Sequence, residues 1–173
     1  MKLIKILKIR KSPTDTDGDF YFKMKSILGF KPRNLSYYKK AFIHSSLNLK
    51  DEEGKAVNYE RLEFLGDSVL GLVVSHFLYK RFPEHEEGCL SENKARLVDA
   101  NACVKYVQEL GIEDYLVLGK GESLNAGKGR ETILSDLFEG VIGAIYLDGG
   151  LESATNFIMC QLETVVFQIL EQP

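Results

Sequence analysis

Five acidic residues stand at spacings that suit metal-ion chemistry: Glu60, Glu63 and Asp67 in one stretch, Asp136 and Glu139 in another. On a helix each residue turns by about 100°. With Glu60 at zero, Glu63 falls at about 300° and Asp67 at about 340°, so the three acids share one narrow arc. Leu62, Leu65, Val69, Leu72 and Val73 take the opposite side and read as a core stripe. Asp136 and Glu139 are i and i+3 on one face, and Gly140 and Gly143 lie beside them without side chains to block a neighbouring helix. If the two helices pack together, up to five carboxylates converge. Like charges about 4 Å apart repel by a few kcal/mol even at an effective dielectric near 20. Such a cluster must take up protons or hold cations. An all-oxygen donor set suits a hard divalent ion, with Mg²⁺ the natural choice. The alternative is a solvated acidic face, and either pair alone would read that way. The run from Asp136 to Leu147 is too apolar for a freely exposed helix, however, and buried acids need partners.

The elements that must position these acids read as helix after helix. The pattern predicts helices over 20–28, closed by Gly29, over 34–44, and over 58–82, with Pro83 just past the end. Ser91 is a candidate N-cap for a segment reaching Leu110, with Gly111 as its stop and a break near Asp99–Asn101. A short helix over 112–118 follows, then helices over 132–147, stopped by Gly149 and Gly150, and over 152–170. No alternating strand pattern and no internal repeat appears, so the expected class is all-α.

The chain has 173 residues, 45% hydrophobic and 27% charged, which fits one globular domain able to fold without a disulfide or metal. Cys89, Cys103 and Cys160 are odd in number and widely spaced, which argues against a disulfide framework or a zinc ribbon and favours a reducing, cytoplasmic setting. No uninterrupted apolar run reaches the ~18 residues of a bilayer span. Charge is uneven: residues 1–50 carry 12 Lys and Arg against 3 Asp, a net +9, and residues 51–173 carry 10 against 22 acids, a net −12. The first eleven residues, with Lys at 2, 5, 8 and 11, form a basic amphipathic segment. Residues 12–19 have the composition of a linker, so the expected division is a basic segment and linker over 1–19 and a domain over 20–170.

The stretch Asn58-Tyr59-Glu60-Arg61-Leu62-Glu63-Phe64-Leu65-Gly66-Asp67-Ser68-Val69-Leu70 resembles the signature motif of the ribonuclease III family. Residues Ala41 to Ser46 resemble the family's upstream His-Ser-Ser element. Arg81-Phe82-Pro83, Glu87-Gly88 and Leu90-Ser91 resemble the stretch after the signature helix, and Arg130 to Glu139 resembles the second acidic motif. The likeness runs from about residue 20 to 165. It implies the family's all-helical, homodimeric endonuclease domain, cutting double-stranded RNA with Mg²⁺ and leaving 5′-phosphates and short 3′ overhangs. It implies one or two ions per site, with Mn²⁺ a substitute, and a part in rRNA and mRNA precursor processing. By position, the resemblance assigns Asp67 and Glu139 as catalytic and Glu63, Asp67, Asp136 and Glu139 to the metal. Glu60 and Glu87 correspond to outer acids, and Phe64 to a residue packing across the dimer. A catalytically silent RNA-binding member, or a minimal nuclease dedicated to one rRNA precursor, is the alternative reading.

Phosphodiester hydrolysis by carboxylate-held metal needs no His or Ser nucleophile, so His44, His76 and His85 read as packing or surface residues. Lys94, Arg96, Lys128 and Arg130 are candidate phosphate contacts, because duplex RNA is read mainly through phosphates and 2′-hydroxyls. The glycine-rich stretch 119–129 mimics a P-loop only loosely: five residues separate Gly121 from Gly127, and Gly129 stands where Ser or Thr is needed. Neither a nucleotide cofactor nor a membrane is expected. Many family members carry a C-terminal double-stranded-RNA-binding domain; this chain ends at Pro173, and the expectation is a weaker intrinsic RNA affinity, with the basic segment 1–50 as partial compensation.

Overall fold

The computed structural model describes residues 17–119 and 128–170, without the side chains of Lys128 and residues 167–170. The basic segment 1–11, most of the linker and most of the glycine-rich stretch lie outside the described residues. Among the described residues six α-helices make up the fold: α1 Asp17–Leu28, α2 Leu35–Ala41, α3 Glu60–Arg81, α4 Glu87–Val98, α5 Ala100–Leu110 and α6 Lys128–Leu170. Short 3-10 turns stand at Ser45–Leu47 and Glu113–Tyr115. The only strand-like pairings among the described residues are isolated bridges, Ile43 with Val117 and Lys50 with Ala56. The all-α expectation holds.

Local chemistry explains where the helices differ from the sequence reading. α1 starts at Asp17, inside the expected linker, because Asp17 and Asp19 suit a helix N-terminus and Asp17 pairs with the buried Lys39 at 2.8 Å. α4 starts at Glu87, four residues before the expected cap; Ser91 lies inside the helix, its hydroxyl donating to Glu87 at 2.6 Å. The break at Asp99 is real: its carboxylate accepts from the Ala102 amide at 2.8 Å and caps α5, which Gly111 ends in the left-handed conformation. The stop expected at Gly149–Gly150 is present, as a kink between two helical stretches of α6. Gly150 takes φ 77°, kinks the axis, and α6 resumes at once.

α6 is the spine of the core, with α3, α5 and α2 packed against it. Phe138 is fully buried and stacks on Tyr106 of α5. Asp148 is also buried, but its carboxylate is satisfied: it accepts from the backbone amides of Arg33 (2.9 Å) and Asn34 (2.8 Å) and from the Tyr38 hydroxyl (2.9 Å). These bonds lock the entry of α2 onto α6. By length and composition α3 could cross a membrane. Leu62, Val69, Leu70, Val73, Val74 and Leu78 are buried, however, and α3 packs along α6 as a core helix. Leu72, expected in the same stripe, is 56% exposed. It lies on the ridge of Phe64 and Ser68 at i+4 spacing, at the stripe's edge.

Candidate metal centre

The site exists because α3 and α6 cross in backbone contact. A Cβ on Gly66 would overlap the carbonyl oxygen of Glu139 and stand 3.0 Å from the Gly143 nitrogen. A Cβ on Gly143 would overlap the Leu62 carbonyl oxygen. With Gly66 and Gly143 at the contact, the acidic faces of α3 and α6 meet without intervening side chains. Gly140 and Gly143 are legible in the sequence as a gap in α6. The complementary gap in α3, Gly66, escapes the sequence reading; the available signal is its place between Glu63 and Asp67, inside the signature stretch.

Glu63, Asp136 and Glu139 converge there. One carboxylate oxygen of each lies within 4.8 Å of the others, and all three side chains are half-buried. Burial is the main cause of raised pKa at each. Glu63 is raised further by Asp136, Glu60 and Asp67. Glu139 is pushed up to about 8 by burial and then by Asp67, Asp136 and Glu63, while the Ser135 hydroxyl, one helical turn back, offsets part of that. Asp136 is raised by burial, tempered by the Tyr59 hydroxyl and by His44. Three oxygen donors that repel one another in a half-dry crevice are a fit for a hard cation, which would offset the repulsion directly. The cluster could therefore bind a metal ion.

The other sequence candidates take different places. Asp67 is exposed, one turn beyond Glu63, and stands outside the group of three while still acting on Glu139 through charge. Glu60 is exposed and accepts from the side-chain amide of Asn58 at 3.2 Å. Glu87 opens α4 and is engaged by Ser91. Phe64 is 78% exposed on the surface of α3. Among the basic residues, Lys94 lies along α3 with its ammonium over Gly71, and Arg96 is half-buried on α4. Arg130 is committed to Glu113 at 2.8 Å. Lys128 opens α6, with its side chain outside the description.

Two supporting groups are not assigned by the sequence reading. Tyr59 is buried, and its hydroxyl donates to Asp136 at 3.3 Å. Its position at about 260° on the α3 wheel, next to Glu63, is the available signal. Ser135 stands i−4 from Glu139, the spacing at which helix side chains meet. His44, expected as a packing residue, packs its ring edge-on to Tyr59 with centroids 5.5 Å apart.

A family model described as Ribonuclease-III-like matches residues 34–165. Among curated relatives, Ribonuclease 3 of Protochlamydia amoebophila is 48% identical over 146 residues, covering 84% of this chain and 60% of the relative. Ribonuclease 3 of Leptospira interrogans is 44% identical, covering 83% of this chain and 58% of the relative. The chain thus spans under two thirds of the length of these relatives. Among solved structures, the nuclease domain of ribonuclease III from Campylobacter jejuni, described for flexibility in a region involved in its dimer formation, aligns with TM-score 0.72 and 34% identity over 82% of this chain and 95% of that one. Dicer from Pichia stipitis aligns with TM-score 0.58 and 25% identity over 81% of this chain and 59% of that one. With the family match spanning most of its length and the acids of both motifs meeting at one helix crossing, this chain belongs to the ribonuclease-III-like family.

Proposed function

We propose that residues 20–170 form a Mg²⁺-dependent endonuclease domain that hydrolyses double-stranded RNA. The observation that carries this reading is the meeting of Glu63, Asp136 and Glu139 within 4.8 Å at the α3–α6 crossing. The named relatives and the shared family support it. In this reading the three carboxylates would hold Mg²⁺, with Mn²⁺ as a substitute and one or two ions per site. When bound, the metal activates a water and neutralises charge building on the phosphodiester oxygens. Asp67, exposed beside Glu139, orients the attacking water and accepts its proton. Glu139 serves both as ligand and as the group whose ionisation completes the site. The products are 5′-phosphate ends with short 3′ overhangs, from precursors of rRNA and mRNA in the cytoplasm. The functional unit is a homodimer in which each site cuts one strand, with Phe64 in the interface. Lys94 and the exposed acids Glu60 and Glu87 border the substrate path.

The direct test is cleavage of a long, generic duplex RNA at low salt with Mg²⁺, with Ca²⁺, and with Glu139→Ala. Cutting to short duplexes with Mg²⁺ alone, lost at least about 100-fold in the variant, is the expected outcome. An intact dimer that leaves the duplex uncut at high RNA and Mg²⁺ concentrations would instead favour a silent RNA-binding member.

A further inference from the structure

The acid cluster is braced from one side by a connected set of groups that the hydrolytic reading does not use. Tyr59 is the N-cap residue of α3 and touches both acidic motifs at once. Its carbonyl accepts from the Glu63 amide at 2.9 Å, in the first turn of the helix, and its hydroxyl donates to Asp136 Oδ2 at 3.3 Å across to α6. Its own amide donates to the Ile43 carbonyl at 3.0 Å. The side chain stands where Gly140 leaves room: a Cβ on Gly140 would come within 3.3 Å of the Tyr59 Cβ.

Behind the ring lies His44, and its orientation is fixed. His44 Nδ1 accepts from the Ser46 amide at 3.2 Å and sits 2.7 Å from the Ser46 hydroxyl. That hydroxyl also accepts from the Gly119 amide at 2.9 Å, and with Nδ1 already accepting from the Ser46 amide, the hydroxyl proton can be shared with Nδ1 as well. The pattern is met by the imidazole tautomer with its proton on Nε2. The His44 amide in turn donates to the Val117 carbonyl at 3.1 Å. The upstream His-Ser-Ser element therefore ties residues 117–119 to the back of Tyr59.

We propose that Tyr59 is a positioning residue for the metal centre: its hydroxyl fixes the rotamer of Asp136 by occupying Oδ2, and the His44–Ser46–Gly119 chain holds the Tyr59 ring in place. This rests on the metal-centre reading of Glu63, Asp136 and Glu139. A carboxylate with one oxygen held presents the other to a cation at little entropic cost, and loss of such an outer partner commonly weakens metal affinity by about 10–100-fold. Tyr59→Phe keeps the ring and removes only the hydroxyl.

The test measures Mn²⁺ binding to the intact chain by electron paramagnetic resonance, with Mg²⁺ as competitor and no RNA present. Tyr59→Phe should weaken Mn²⁺ binding by about tenfold, and its duplex cleavage should return toward wild type at saturating Mg²⁺ with KM for RNA unchanged. Tyr38→Phe is the control for a structural role alone. It removes an equally buried hydroxyl from another aspartate, Asp148, and should leave Mn²⁺ affinity unmoved. Ser46→Ala tests the same chain without touching Tyr59 and should shift affinity in the same direction by a smaller factor; it carries the test if Tyr59→Phe fails to fold. Unchanged Mn²⁺ affinity in both Tyr59→Phe and Ser46→Ala, or an equal loss in Tyr38→Phe, overturns the proposal while leaving the metal centre standing. Failure of the wild-type chain to bind Mn²⁺, or binding indifferent to Glu139→Ala, defeats the metal-centre reading itself and the proposal with it.

Discussion

Glu139 carries the largest electrostatic load in the cluster. Its ordinary value of 4.5 is pushed up to about 8, by burial first and by the neighbouring carboxylates second. Folding therefore favours its protonated form. The stability this gives is fully present below about pH 4.5 and is lost as pH rises through about 8, where the folded chain must ionise Glu139 among three other acids. The metal-free protein should melt at progressively lower temperature across that window, and saturating Mg²⁺ should recover the loss. Glu139→Gln has nothing to ionise, so at pH 9 it should melt above the metal-free wild type, with the difference vanishing near pH 4.5. Differential scanning calorimetry in matched buffers checks both, and equal melting at pH 9 would mean that Glu139 ionises without strain. At this scale the sequence is informative about identity and silent about environment. Helical spacing places the acids on shared faces, but it does not say that Asp67 stays in solvent while Glu63, Asp136 and Glu139 share a crevice. That division depends on the rotation of α3 against α6, which no single helix encodes.

The helix crossing sets that rotation, and it depends on glycine. Gly66→Ala would drive a methyl group into the Glu139 carbonyl, a backbone atom that cannot swing aside. The helices must separate or shift, and overpacking of this kind costs typically about 1–3 kcal/mol. Separation also spreads Glu63 from Glu139, so metal affinity should fall along with stability. Gly71, further along α3, is the contrast. A Cβ there meets only the flexible Lys94 side chain at 3.6 Å. Gly71→Ala should be neutral or stabilise by up to about 1 kcal/mol through helix propensity. Urea denaturation of the two variants separates the effects, and equal behaviour would show that backbone contact is not what holds the crossing. The helices themselves are largely legible in sequence, because long amphipathic runs and glycine stops are local signals. Their ends are less so. α4 reaches back to Glu87 through an internal Ser91–Glu87 bond, whereas the break at Gly150 falls where the glycine pair predicts it.

At the scale of the whole molecule, the three carboxylates that could hold a cation among the described residues come from one chain. In the proposed reaction, cutting both strands of a duplex is a different requirement, because each site is assigned one strand. An exposed apolar ridge that suits pairing is on the same helix. Phe64 at 78%, Leu72 at 56% and Tyr79 at 74% exposure lie along one side of α3, and Phe64 directly follows Glu63. If the proposed homodimer pairs through this apolar ridge, which adjoins the acids, the same contact would set the separation of the two sites. Binding and assembly should then come apart in a single variant. Phe64→Ala removes a large aromatic contact and should weaken self-association at least about tenfold, read by sedimentation across a dilution series. Its Mn²⁺ stoichiometry per chain should be unchanged, because no ligand is lost. Duplex cleavage near the new dissociation constant should shift from paired cuts to single-strand nicks, visible when native and denaturing gels of the same digest are compared. Paired cuts from a protein that sediments as a monomer would place the second site's contribution elsewhere. An undiminished dimer would remove Phe64 from the interface and point to the Leu72–Tyr79 end of the ridge.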